Sequence, residues 1–181
     1  MLLPVIIITI ITLTDDSVLA SVEIEQLAPK PHCCIGNNYA GQGLIGTHYD
    51  VSSAPVEVID SKTLRIKQFS FSGTQAPDGW ILVGEGEVDK EIGQKAAVLL
   101  ADGQENYCPI LEDHRGDADL FVRLPTGVTV YDINYLSVYC YAYGVDFGHV
   151  NFRLSPDEIA VPGYIPPIRH LSQQILKPII C

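Results

Sequence analysis

Turn-forming residues interrupt this chain too often for anything except short strands. Between residues 42 and 154, apolar or alternating runs are cut repeatedly by clusters of Gly, Pro, Asp and Ser. A helix needs about 10 or more uninterrupted residues, whereas a strand needs only about 4 to 8. Val56-Glu57-Val58 alternates and leads into the turn-like Asp60-Ser61-Lys62. The stretch from Thr63 to Phe71 puts Leu64 and Ile66 on one side and then changes phase to Phe69 and Phe71. That phase change predicts a bulge or bend near Lys67-Gln68. Trp80 to Val83 is an apolar run between Pro77-Asp78-Gly79 and Gly84. Leu120, Val122 and Leu124 alternate with Phe121 and Arg123 before Pro125-Thr126-Gly127. Tyr135 to Tyr143 and Val145 to Phe152 flank Gly144 as two further strands. Only Glu91 to Leu100 has room for a short helix, and Gly93 weakens it. Closely spaced strands with turns between them predict an all-β chain, a single antiparallel β-sandwich or barrel-like domain.

The flanks read differently. Leu2 to Leu13 is an uncharged apolar run, too short for a comfortable bilayer crossing of about 20 residues. It has the length of a signal-peptide core, and Val18-Leu19-Ala20 supplies a cleavage site before Ser21. Residues 1–20 are therefore expected to be a signal peptide, giving a secreted, extracellular product. Residues 21–41 form an irregular, Cys-containing N-terminal leader. Residues 155–181 form a Pro-rich C-terminal tail, in which Pro156, Pro162, Pro166, Pro167 and Pro178 rule out long helices and central strands. Residues 42–154 are the β domain.

The five cysteines fit export, because small exported domains commonly use disulfides to supplement a limited core. Cys33, Cys34, Cys108 and Cys181 are the disulfide candidates. Neighbouring cysteines resist bridging each other, so Cys33 and Cys34 are expected to reach Cys108 and Cys181. Cys140 is then the odd thiol. No Cys-x-x-Cys is present, nor a Gly-x-Ser-x-Gly elbow, a phosphate loop or a His-Glu-x-x-His. A formal charge of -11 argues against nucleic acid as a partner, and no basic cluster is present to hold an anionic membrane.

The most specific stretch is Leu136-Ser137-Val138-Tyr139-Cys140-Tyr141-Ala142-Tyr143-Gly144-Val145-Asp146-Phe147-Gly148-His149-Val150. It resembles the C-terminal signature of the DM-thirteen domain, the electron-transfer-type module of Skeletor-like and Knickkopf-like proteins. Gly43 to His48 resembles the family's opening strand, and Val58 to Ile66 its second hairpin. Phe69 to Gly73, Ala76-Pro77-Asp78 and Val83-Gly84 resemble its central region. Leu124 to Gly127 and Asp132-Ile133 resemble the approach to the Cys strand. Where the family often carries Trp, this chain has Tyr135 and Tyr139. The resemblance implies extracellular electron transfer or oxidative modification of cell-surface or matrix proteins. It centres on Cys140, either as a bare thiol or as ligand to a prosthetic group such as haem.

The residues themselves leave alternatives open. On a regular strand Cys140 shares a side with Leu136, Val138 and Ala142, where a thiol ionises reluctantly and packs as a small apolar group. Asp146 and His149 could pair as carboxylate and imidazole around a metal or haem. Three residues apart, however, they face opposite sides of a regular strand, with His149 on the side of Phe147. His48 is a further ligand candidate if the first and last strands are neighbours. Glu112, Asp113, Asp117 and Asp119 surround Arg115-Gly116 as a solvated turn or, less simply, a calcium loop. Five of the nine tyrosines fall between Tyr131 and Tyr143. They form either a buried face of the sandwich or a platform for a non-catalytic matrix or cuticle module.

Overall fold

The computed structural model describes the strand His32–Cys33, residues 42–166 and residues 176–181. The expected signal peptide and Cys34 lie outside the described residues. The strands are β1 (His32–Cys33), β2 (Ile45–Gly46), β3 (Glu57–Asp60), β4 (Thr63–Ile66), β5 (Ser70–Ser72), β6 (Trp80–Gly84) and β7 (Gln94–Lys95). They continue with β8 (Ala97–Leu99), β9 (Glu105–Tyr107), β10 (Asp113–Arg115), β11 (Leu120–Arg123), β12 (Tyr135–Cys140), β13 (Val145–Asn151) and β14 (Ile179–Ile180).

The fold is an all-β sandwich. One sheet has seven strands in the order β1-β3-β4-β11-β8-β9-β14, and the other has five in the order β2-β13-β12-β6-β7. A two-stranded ribbon of β5 and β10 completes it. Each sheet keeps two edges, so the structure is not a closed barrel. Leu64, Ile66 and Val122 from the larger sheet meet Ile81, Leu136 and Val138 from the smaller one in a single core. Each such side chain, fully withdrawn from water, contributes about 1.5–3 kcal/mol.

The phase change after Ile66 is where the chain leaves one sheet for another. Gln68 turns through a left-handed conformation (φ 50°), so β4 stays in the large sheet and β5 joins the ribbon. The segment that had room for a helix is not one. Gln94–Lys95 pairs with Leu82–Val83, and Ala97–Val98 pairs with Val122–Arg123. Tertiary pairing wins over weak local helix propensity here. Gly93 helps to fix this path, because a Cβ there would meet the Tyr135 hydroxyl at 2.5 Å.

The disulfide pairing also differs from expectation. Cys108 bonds Cys181, not Cys33 or Cys34. The reason lies in the backbone: β14 runs parallel to β9 with Ile180 opposite Tyr107, which sets Cys181 beside Cys108. Two of the four acidic residues around Arg115 are committed elsewhere. Asp113 accepts from the Thr74 hydroxyl at 2.7 Å, and Asp119 pairs with Arg65. Among the described residues, no cluster of three or more His, Cys, Asp or Glu side chains is placed to hold a metal ion. No helix there is long and apolar enough to cross a membrane.

Candidate functional site

β12 is the middle strand of the five-stranded sheet, and its alternation creates two separate sites. Leu136, Val138 and Cys140 point into the main core. Tyr135 and Tyr139 belong to a second cluster with Leu82 on the opposite face.

On the inner face, Cys140 has no exposed surface and is a free thiol. It borders a pocket of about 470 Å³, together with His48, Tyr49, Gln75, Pro77, Tyr143, Val145 and Phe147. That size lies within the usual range for small-molecule sites, about 300–1,000 Å³. His48 arrives because β2 pairs with β13 and both Thr47 N–H and His48 N–H donate to the Phe147 carbonyl. The two strands approach closely because Gly46 faces Gly148, where a Cβ would meet the Gly46 Cα at 2.5 Å. Tyr49 and Asp50 then take left-handed conformations in succession (φ 52° and 55°). This is costly for a tyrosine. The turn is held by Ser72, whose N–H donates to the Tyr49 carbonyl and whose hydroxyl donates to Asp50. Its result is an edge-on contact of Tyr49 with Phe147, 4.7 Å between ring centres, at the pocket wall.

The thiol's surroundings pull in two directions. Burial pushes its pKa above the ordinary value, and the neighbouring Asp78 carboxylate pushes the same way. Backbone N–H groups of Tyr143 and Ala142 oppose this by favouring the thiolate. Asp78 Oδ1 is buried with no hydrogen-bond partner, and the Asp78 side chain neighbours the thiol. Asp78 Oδ2 accepts from the Trp80 indole N–H at 2.9 Å and from the Ala142 N–H at 3.4 Å. At rest Cys140 is therefore protonated, beside a carboxylate that is short of a donor.

Asp146 and His149 come together on the outer face, contrary to the regular-strand expectation. The register with β12 slips between Val138 and Tyr139: Gly148 faces Val138, Asp146 faces Tyr139, and Phe147 is the extra residue. A bulge shifts the alternation by one. Phe147 turns into the core, whereas His149 Nδ1 lies 2.5 Å from Asp146 Oδ2. Asp146 Oδ1 accepts from the buried Ser137 hydroxyl at 2.7 Å and from the Gly148 N–H at 3.0 Å. The four site candidates thus separate into two pairs, Cys140 with His48 and Asp146 with His149.

The same outer face carries residues that sequence reasoning passed over. Trp80 lies edge-on to Tyr141 (5.9 Å), and Tyr141 lies edge-on to Tyr139 (5.7 Å). The Lys95 ammonium sits 3.1 Å from the Trp80 ring centre and 4.2 Å from that of Tyr141. The only tryptophan of the chain, two residues after an Asp in a turn, was the available signal. Tyr135 and Tyr139 are not a free platform, because Val88 and Gly93 cover them. Tyr143 is 73% exposed.

The family profile described as "Electron transfer DM13" matches residues 44–152. The chain belongs to the DM13 family. Two Drosophila melanogaster relatives, Protein Skeletor isoforms B/C and isoforms D/E, are each 34% identical over 119 residues. Those residues are 66% of this chain but only 14% and 7% of the two Skeletor proteins, so this chain corresponds to a small part of either. No solved structure matches. The DM13 match spans β2 to β13 and so includes both site pairs and Trp80.

For haem, which the family resemblance raises, the donors at the pocket are the Cys140 thiol and the His48 imidazole. An axial thiolate must be ionised and must offer a lone pair to the iron. The Cys140 sulfur is buried and is held protonated by burial and by Asp78. Ligation would have to displace that proton, and without a bound group the bare thiol is the form these residues favour.

Proposed function

We propose that this DM13 domain is an extracellular electron-transfer module whose redox group is the Cys140 thiol. One observation carries this reading: the free thiol lies at a ligand-sized pocket, beside the Asp78 carboxylate, one oxygen of which is buried without a donor. The S–H bond breaks as one electron leaves for a one-electron oxidant and the proton passes to Asp78 Oδ1. The product is a Cys140 thiyl radical, shielded from water and from other thiols by its burial. The reverse step takes an electron from a reductant and the proton back from Asp78. The extracellular setting is supported by the apolar run from Leu2 to Leu13 and by the Cys108–Cys181 bridge, since such bridges persist in oxidising compartments. Cell-surface or matrix proteins are the partners this setting offers.

The test is secretion from animal cells, N-terminal sequencing for Ser21, and stoichiometric oxidation with a one-electron oxidant such as hexachloroiridate. Peptide mapping should place the oxidation at Cys140, and oxidant consumption should fall in Cys140→Ala. Equal consumption by both proteins would remove Cys140 from the role. The alternative, a non-catalytic matrix module binding through the tyrosines, loses support from the burial of Tyr135 and Tyr139.

A further inference from the structure

A buried thiol that exchanges electrons with a macromolecular partner needs a route, because the partner cannot touch it. Cys140 has no exposed surface, whereas Trp80 and Tyr141 on the other face of the sheet are only partly buried. Trp80 faces Tyr139 across the β6–β12 pairing, one residue from Cys140. Its indole N–H is bonded to Asp78, whose carboxylate also neighbours the Cys140 thiol. A single carboxylate therefore connects the redox group of the inner face with the most readily oxidised side chain type of the outer face.

We propose that Trp80 is the electron port of Cys140, with Asp78 as the shared proton acceptor and Lys95 as a brake. This rests on the electron-transfer reading above. An external one-electron oxidant removes an electron from the Trp80 ring and leaves an indole radical cation. Cys140 then delivers one electron to Trp80 and its proton to Asp78 Oδ1. Trp80 returns to its starting state, and the hole resides on sulfur as a thiyl radical. Tyr141, in edge contact with Trp80, extends the surface over which a partner can dock. The Lys95 ammonium over both rings stabilises their ground state and opposes a second positive charge on the indole. Lys95 makes no salt bridge among the described residues, although the Asp78 carboxylate acts on it from nearby.

The experiment uses the whole secreted chain and pulse radiolysis with azide radicals, which oxidise tryptophan. The chain's lone tryptophan makes the indolyl absorbance specific to Trp80. In the wild type that absorbance should decay about tenfold faster than in Cys140→Ala, a change worth about 1.4 kcal/mol in barrier. Asp78→Asn, which cannot take the proton, should slow the wild-type decay while leaving Trp80 oxidation intact. Lys95→Met should make the initial oxidation of Trp80 several-fold faster. Thermal denaturation of each variant checks that the fold is kept, and Trp80→Phe preserves the aromatic packing. Equal indolyl decay in wild type and Cys140→Ala, with Trp80→Phe still oxidised at Cys140 at the wild-type rate, overturns the port and leaves the module reading standing. Failure of Cys140 to be oxidised in either wild type or Trp80→Phe overturns both.

Discussion

The two faces of β12 are equally hidden from water and chemically unlike. All six residues of the strand are buried. On the inner face Leu136, Val138 and Cys140 are covered by the opposing sheet, and the thiol is their only polar group. On the outer face Tyr135, Ser137 and Tyr139 are covered by the segment around Val88 and Gly93, and Ser137 reaches the Asp146–His149 pair. The inner face has a redox-capable group in an environment that keeps it neutral. The outer face has polar groups, some satisfied and one not. Burial therefore does not set the chemistry of a strand by itself; the partners within hydrogen-bond reach do.

The comparison can be broken first at its most apolar point. Leu136→Ala should cost about 2–5 kcal/mol, because a fully buried leucine leaves a cavity that two packed sheets cannot close. Urea denaturation measures it, and a cost below that of an outer-face change would mean that the inner face is not the core. Next comes the thiol. Cys140→Ser puts a hydroxyl where sulfur sat and should cost about 1–3 kcal/mol. Cys140→Ala should cost less. A serine variant as stable as wild type would mean that the inner pocket supplies water or a strong partner to that position.

Much of this was legible in the sequence, and the failures have physical causes. Period-2 alternation placed Leu136, Val138 and Cys140 on one side, and the structure agrees because that part of β12 is regular. The same rule separated Asp146 from His149, and there it failed. A bulge is an extra residue in one strand relative to its partner, so it depends on pairing that the local sequence does not contain. The helix considered for 91–100 failed for a related reason: its residues pair with β6 and β11, which are distant in sequence. The cysteine pairing failed because adjacency excluded one partner without saying which others lie near. Only the parallel docking of β14 on β9 decides that. Asp78 looked like a turn residue, and nothing local showed that its carboxylate would bridge Trp80 and the thiol.

A smaller effect tests the polar side of the comparison. Ser137→Ala removes a buried donor to Asp146 and leaves the Gly148 N–H as the remaining partner of Oδ1. The expected cost is about 1 kcal/mol, since a partly buried acceptor loses one of its bonds to a near-isosteric change. Asp146→Asn together with Ser137→Ala should show coupling in a double-mutant cycle. Strict additivity would mean that the Ser137–Asp146 bond contributes nothing to the outer face.

The smallest effect is expected at Tyr135, and its sign depends on pH. Its hydroxyl is buried without a partner of regular geometry, although the Asp89 backbone is near. Tyr135→Phe removes an unsatisfied polar atom and keeps the ring, so at neutral pH stability should change by no more than about 0.5 kcal/mol. At alkaline pH the two proteins should separate. Burial raises the Tyr135 pKa above the ordinary 10.0, so the folded protein holds that proton longer than the unfolded chain does. Stability from this group is complete below the unfolded value and is lost as pH rises through the folded one. The wild type should therefore lose stability above about pH 10 more steeply than Tyr135→Phe. Cys140, raised from 9.0 by burial, starts the same kind of loss on the inner face at lower pH. Denaturation midpoints across the alkaline range should thus show two successive declines: Cys140→Ala removes the earlier one and Tyr135→Phe weakens the later one. A single decline unaffected by either substitution would show that neither face holds its acidic proton against solvent, and the distinction between them would lose its electrostatic basis.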